Sequence, residues 1–180
     1  NSSYDDLMKV AAILKGRTVA ENVSLTVSPG SKQVYNMLAA NGALADIISA
    51  GARILECACG PCIGMGQSPK SAGISLRTFN RNFEGRSGTK DAQVYLVSPE
   101  TAAVSAINGY LTDPSASLEP ISIAPVEHFS INDNMIVPPA SPDEAALLTV
   151  NRGPNIKPFP LASAMPETLK VPVSLKVGDN

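Results

Sequence analysis

Three cysteines lie close together in the segment CACGPCIGMG, residues 57–66. They are Cys57, Cys59 and Cys62, and the 180-residue chain has only these three. The spacing of Cys59-Gly60-Pro61-Cys62 is used by dithiol redox centres and equally by pairs of ligands on a metal or cluster. Because cysteines this close cannot connect distant segments by disulfide bonds, a reducing, cytoplasmic location is predicted.

The residues after Cys62 favour cluster binding over redox chemistry. A thioredoxin-like site needs its first cysteine at the N-terminus of a helix, where the dipole lowers the thiol pKa. The following segment, IGMGQSP, is a poor helix former, whereas glycine and proline let a loop fold round an inorganic core. We therefore interpret Cys59 and Cys62 as cluster ligands, with redox chemistry as the weaker alternative. Cys57 is interpreted as a small buried thiol at a strand end, with a role as third ligand as its alternative.

A second segment whose residue types suit ligand binding spans residues 76–90, LRTFNRNFEGRSGTK. Arg81 and Arg86 in this loop offer planar, bidentate donors for carboxylates. On an arbitrary loop they would be read as solvated or ion-paired arginines. Next to a cluster loop they favour a site for a di- or tricarboxylate. Arg77 lies on the preceding predicted strand, and Arg77→Lys is expected to cost little activity.

Alternating helix and strand signals surround the two loops. Helices are predicted from a cap at Ser2-Ser3 to a stop at Gly16, over 32–50 with a break at Asn41-Gly42, and from Pro99 to about Leu111. Strands are predicted over 24–27, 52–56, 75–79 and 93–97. This order predicts an α/β fold, with a layered α/β/α domain and a mostly parallel sheet over residues 1–113.

The sequence changes character after Asp113. Eleven prolines follow in residues 114–180, a density that suits an extended arm more than a second core. A short helix over 143–150 and a last strand over 171–177 are the elements predicted there. We interpret residues 114–180 as a Pro-rich connector.

Composition and charge exclude several classes of partner. Hydrophobic residues make up 44% of the chain but aromatic residues only 4%, so the core must be built from Ala, Val, Ile and Leu. The net charge is −2 and no Lys/Arg-rich block occurs, so neither nucleic acid nor a membrane surface is expected as a partner.

Four segments together resemble the aconitase family of hydro-lyases. They are CGPCIG, FNRNFEGRSG, VYLVSPETAA and INGYLTDP. The family includes aconitate hydratase, homoaconitase and 3-isopropylmalate dehydratase. The likeness is strongest over residues 57–113, while the opening NSSYDDL and closing LKVGDN extend it along the chain. It implies an internal fragment: the third domain plus the connector to a swivelling last domain.

The resemblance also implies a cofactor. In the family, three cysteines hold a [4Fe–4S] cluster whose open iron acts as a Lewis acid and not as an electron carrier. Cys59 and Cys62 match two of the ligands, and the third is expected before Asn1. The cluster is therefore expected in the full-length parent and is expected to be absent or incomplete in this chain alone.

The resemblance implies roles for residues of the second loop. Arg81 and Arg86 match the arginines that bind substrate carboxylates, and Asn80 matches a residue that hydrogen-bonds near the cluster. The family's serine base and its proton relay come from other domains, so no catalytic residue is expected in this chain.

The parent is predicted to interconvert citrate and isocitrate through cis-aconitate. Its expected partners are a small tri- or dicarboxylate and the remaining domains of the same polypeptide. Citrate is favoured because the connector implies one continuous polypeptide, whereas isopropylmalate dehydratases commonly split there into two subunits. The alternatives are homoaconitase or isopropylmalate dehydratase, or a non-catalytic α/β module that binds a metal or a partner.

Overall fold

The computed structural model describes residues 2–116 and 119–178. Asn1, which opens the segment NSSYDDL, and the last two residues of the closing LKVGDN lie outside the described residues. Within the described part, no helix is long and apolar enough to cross a membrane.

Contacts between residues divide the chain into two units, Asn1–Met135 and Ile136–Asn180. This division does not test the domain boundary predicted after Asp113, which stays a prediction.

The first unit is an α/β structure. Its elements are α1 (Tyr4–Leu14), β1 (Thr26–Val27), α2 (Lys32–Ala40), α3 (Ala43–Ser49), β2 (Arg53–Ile54), a 3-10 turn (Pro61–Ile63), β3 (Ile74–Arg77), β4 (Gln93–Leu96), α4 (Pro99–Asn108) and a second 3-10 turn (Pro114–Ala116). β1 pairs with β2 and β3 with β4, both in parallel. The predicted α/β class and parallel pairing are confirmed, and the described strands form two separate pairs.

Local sequence signals explain where the helices begin and end. The Ser3 hydroxyl accepts a hydrogen bond from the Asp6 N–H, and the Asp6 carboxylate accepts one from the Ser3 N–H, which forms a capping box at α1. At α4 the Ser98 hydroxyl accepts a single hydrogen bond from the N–H of Thr101, which caps the helix. α4 stops at Gly109, which has a φ of 81°, and therefore ends before the predicted limit near Leu111.

The core lies where α1 packs against α2, α3 and α4. Its buried side chains are those of Ala, Val, Ile and Leu, as the composition predicts: Leu7, Val10, Ala11, Ile13, Leu14, Val27, Leu38, Ala43, Ile47, Ala50, Ala52, Ala103 and Val104. Burying such side chains is the main favourable contribution to folding. Val27 of β1 belongs to this core and Ile54 of β2 packs against it, so the helices hold the strand pair that leads into the cysteine loop.

The two parallel strand pairs are connected in different ways. Parallel strands need a crossover of a dozen or more residues, which is usually helical. α2 and α3 form this crossover between β1 and β2. The crossover between β3 and β4 is irregular and spans residues 78–92, which include Asn80, Arg81 and Arg86.

The second unit contains one helix, α5 (Pro142–Leu147), among its described residues. A capping box formed by Ser141 and Glu144 begins this helix, which ends before the predicted Val150. The strand predicted over 171–177 does not form, and these residues are irregular and exposed. That prediction is wrong because alternating apolar residues make a strand only beside a partner, and Pro172 also lacks an N–H donor.

Candidate cluster and carboxylate site

β2 leads directly into the cysteine loop, residues 57–69. The sulfur atoms of Cys59 and Cys62 lie 3.0 Å apart; the Cys59 side chain is exposed and the Cys62 side chain is buried. Cys62 sits in the 3-10 turn, which ends at Gly64 with a φ of 88°. Because this single turn does not continue into an α-helix, the helix dipole of a thioredoxin-like site is lacking. The redox alternative therefore loses its main structural requirement.

Cys57 does not join the other two cysteines in a three-ligand group. Over residues 2–116 and 119–178, no three His, Cys, Asp or Glu side chains are grouped so that they could hold a metal ion. The pKa of Lys32 is raised, mainly by its 3.2 Å hydrogen bond to Glu56 and in smaller part by the charge of Cys57. Cys57 therefore lies near Lys32 and Glu56.

Residues 80–90, the arginine loop, bring a guanidinium to the cysteines. Arg86 Nη2 lies 3.6 Å from Cys62 Sγ, and its guanidinium carbon lies 5.7 Å from the centre of the Phe83 ring. Arg86 Nε is buried and has no hydrogen-bond partner among the described residues. An unpaired buried donor is unfavourable, and a bound carboxylate is one group that could satisfy it.

One cavity of about 470 Å³ joins the two loops. Its lining contains all five site residues singled out from the sequence, together with two neighbours: Cys59, Cys62, Thr78, Phe79, Asn80, Arg81 and Arg86. The cavity thus combines two thiols with two guanidinium groups and an amide. The individual roles of these residues stay predictions.

A family model described as the aconitase family (aconitate hydratase) matches residues 1–109. This chain belongs to the aconitase family. The match covers both loops that line the cavity.

Curated relatives include several aconitase-family enzymes. The chain is 44% identical over 115 residues to 3-isopropylmalate dehydratase large subunit 2 of Archaeoglobus fulgidus and 45% identical over 115 residues to the homoaconitase large subunit of Thermus thermophilus. Each match covers 63% of this chain and 28% of the relative. Mitochondrial homoaconitase of Debaryomyces hansenii is 41% identical over 145 residues, which are 79% of this chain and 21% of that protein. The chain therefore spans less than a third of the length of these relatives.

Aconitase-family proteins generally bind a [4Fe–4S] cluster, and the thiol pair fits two of its ligands. Thiolates are the usual ligands of iron–sulfur clusters, and both sulfur atoms line the same cavity. The hydrogen bond and the charge of Cys62 raise the pKa of Cys59, against a smaller lowering by Arg86. The Cys59 thiol thus resists ionising, and a bound cationic centre would favour its thiolate.

A close backbone contact holds the cysteine loop against the arginine loop. A Cβ atom on Gly64 would lie 2.6 Å from Ser87 O and 2.9 Å from Gly88 Cα. Gly64 and Gly88 also have φ values of 88° and 94°, which favour glycine. The Ser68 hydroxyl donates to Ser87 O at 3.2 Å. These contacts place Arg86 beside Cys62.

Arg77 contacts the cysteine loop, although it does not line the cavity and no role there was predicted from the sequence. The residue is buried, with only 7% of its surface exposed. Its guanidinium donates to the carbonyl of Pro61 and, at 3.1 Å, to the carbonyl of Gln67. These bonds form because β3 runs beside the cysteine loop. No motif marks Arg77, so the sequence offered no signal for this contact.

Gly64→Ala is expected to lower the free energy of unfolding by about 2–4 kcal/mol, because it adds backbone strain at positive φ and a steric clash. Gly16→Ala is the matched control. Gly16 has a φ of 68°, and apart from its two chain neighbours no residue has an atom within 4 Å of the position that its Cβ would occupy, so only the strain cost of about 1 kcal/mol is expected. Urea denaturation of both variants measures the difference, and equal losses would show that the loop contact is unimportant.

Proposed function

We propose that this chain supplies the cluster ligands and a carboxylate site of a hydro-lyase. Such an enzyme eliminates water from a hydroxy-di- or tricarboxylic acid and adds it back at the adjacent carbon. The observation that carries the proposal is the single cavity in which the paired thiols of Cys59 and Cys62 face the guanidinium of Arg86. Membership of the aconitase family supports the same chemistry.

Each residue of the cavity has a distinct proposed role. Cys59 and Cys62 hold the cluster, which when bound supplies a Lewis acid for the substrate. Arg81 and Arg86 bind and orient substrate carboxylates through charge-assisted hydrogen bonds. The guanidinium of Arg86 also lies over the Phe83 ring, a cation–π contact that favours this orientation of its side chain. Asn80 offers an amide for a hydrogen bond near the cluster.

The names of the relatives favour the alternative to citrate as substrate. The relatives compared above are named homoaconitase or 3-isopropylmalate dehydratase. We therefore propose that this chain is part of a longer protein, as its share of these relatives suggests, and that this longer protein acts on homoaconitate or isopropylmalate. Citrate and isocitrate remain the second candidate, because the description of the matching family model names aconitate hydratase.

The substrate proposal is tested with the longer enzyme after cluster reconstitution. Hydration of cis-homoaconitate, isopropylmaleate and cis-aconitate is followed by loss of the ultraviolet absorbance of the unsaturated acid. We expect kcat/KM for one of the first two to exceed that for cis-aconitate by about tenfold or more, the discrimination that a single methylene can provide.

Two contrary results would overturn different proposals. A preference for cis-aconitate would overturn the proposed substrate and leave the hydro-lyase proposal in place. No hydration of any of the three acids by an enzyme with a full cluster would overturn the hydro-lyase proposal and favour a non-catalytic metal-binding module.

A further inference from the structure

We propose that Arg77 is a positioning residue that holds the cysteine loop so that Cys59 and Cys62 face the cavity as ligands. This inference rests on the proposed ligand function of the two cysteines. It concerns a buried residue of β3 that touches neither the cysteine side chains nor the arginine loop in any hydrogen bond of the described structure.

The guanidinium of Arg77 bridges two points of the cysteine loop. Nη1 donates to the carbonyl of Pro61, the residue before Cys62. Nη2 donates to the carbonyl of Gln67 at 3.1 Å, further along the loop. Nε donates to the hydroxyl of Ser75 at 3.1 Å, which anchors the planar group on its own strand. One rigid fork therefore connects β3 to both sides of the loop.

The carbonyl of Pro61 accepts a second hydrogen bond, which links the Arg77 bridge to the turn that contains Cys62. This bond comes from the N–H of Gly64 at 3.1 Å and closes the 3-10 turn. Cys62 lies inside that turn and is 6% exposed. Because Arg77 is bonded to the oxygen that closes the turn, its loss would free the turn that orients Cys62.

Because the Arg77 side chain is buried, losing one of its hydrogen bonds would be energetically unfavourable. Burial lowers the pKa of Arg77, and the charge of Cys62 opposes this effect. A buried guanidinium is tolerated when its donors are paired, and hydrogen bonds from a charged donor are stronger than those from a neutral donor.

Other side chains bind the backbone on either side of the turn. Ser28 donates to the carbonyl of Glu56 at 2.8 Å, and Arg53 donates to the carbonyl of Gly66 at 2.7 Å. Neither of these bonds reaches the turn at Cys62.

The test uses the 180-residue chain and needs no cluster. Cd²⁺, a soft metal that binds thiolates, is titrated and followed by thiolate-to-metal ultraviolet absorbance. The alkylation rate of Cys62 by iodoacetamide is measured by mass spectrometry under native conditions. We expect Arg77→Met to weaken Cd²⁺ binding about tenfold and to raise the Cys62 alkylation rate about tenfold. Arg77→Lys keeps the charge but cannot form the bidentate bridge, so both effects should persist.

Ser98→Ala is the matched control, because it removes the cap of α4 and destabilises the fold by about 1 kcal/mol without touching the loop. It should leave both readouts at parent values. Circular dichroism verifies folding, and Arg77→Lys replaces Arg77→Met if the latter does not fold.

Three results would overturn the inference: parent-like readouts in both Arg77 variants, full restoration by lysine, or equal changes in Ser98→Ala. Lysine restoration would attribute the effect to charge alone. If the parent chain itself does not bind Cd²⁺, the proposed ligand function fails, and the alkylation rates alone decide whether Arg77 positions the loop.

Discussion

Arg86→Lys in the longer enzyme is expected to lower kcat/KM for hydration by roughly ten- to a hundredfold. Arg86 Nε is buried without a partner among the described residues, and its guanidinium faces the cavity that contains both thiols. Lysine keeps the charge but loses the planar fork that pairs with a carboxylate. A hydrogen bond to a charged group contributes on the order of 1.5–3 kcal/mol, which corresponds to the expected loss in kcat/KM. Arg81→Lys is expected to cause a loss of similar size.

The control for both variants is Arg17→Lys, because Arg17 is exposed and lies outside the cavity lining. Arg77→Lys is unsuitable because Arg77 is bonded to the cysteine loop. Cluster content is measured in every variant, so that a lost cluster is not mistaken for lost substrate binding. Near-parent kcat/KM in both Arg81→Lys and Arg86→Lys, with the cluster intact, would show that this loop is not the carboxylate site.

Reconstitution of the 180-residue chain with iron and sulfide is expected to yield fewer than the four irons per chain of a complete cluster. The reason is that two thiols converge, Cys59 and Cys62, and no three potential ligands are grouped within the described residues. Iron counting and visible absorption measure the outcome. The chain is expected to hold iron weakly or as incomplete clusters.

Two cysteine variants show which thiols bind the iron. Cys62→Ser should remove most of the residual iron, because it eliminates one member of the convergent pair. Cys57→Ser should change the iron content little, because Cys57 does not belong to a three-ligand group within the described ranges. A stoichiometric four-iron centre in the parent chain, lost on Cys57→Ser, would identify Cys57 as the third ligand and overturn the present assignment.

Much of the secondary structure could be predicted because its signals are local. Ser3 and Ser98 act on N–H groups three residues away, so the helix starts are readable from short segments. Asn41-Gly42 separates α2 from α3 because Gly42 has a φ of 85°. The closeness of Cys59 to Cys62 is likewise consistent with their short spacing. The strand predicted over 171–177 failed because a strand depends on a partner that its own residues do not specify.

The sequence by itself determined the types of group in the candidate site, namely two thiols, two arginines and an amide, because its motifs resemble those of the aconitase family. Only the tertiary structure decided how these groups are held. Gly64 meets the backbone of Ser87 and Gly88, and Arg77 reaches the carbonyl of Pro61. Such contacts join residues far apart in the sequence, and they exist because β3 and the arginine loop pass beside the cysteine loop. Burial of Arg77 is therefore a property of the packed fold, which neither its residue type nor its spacing could reveal.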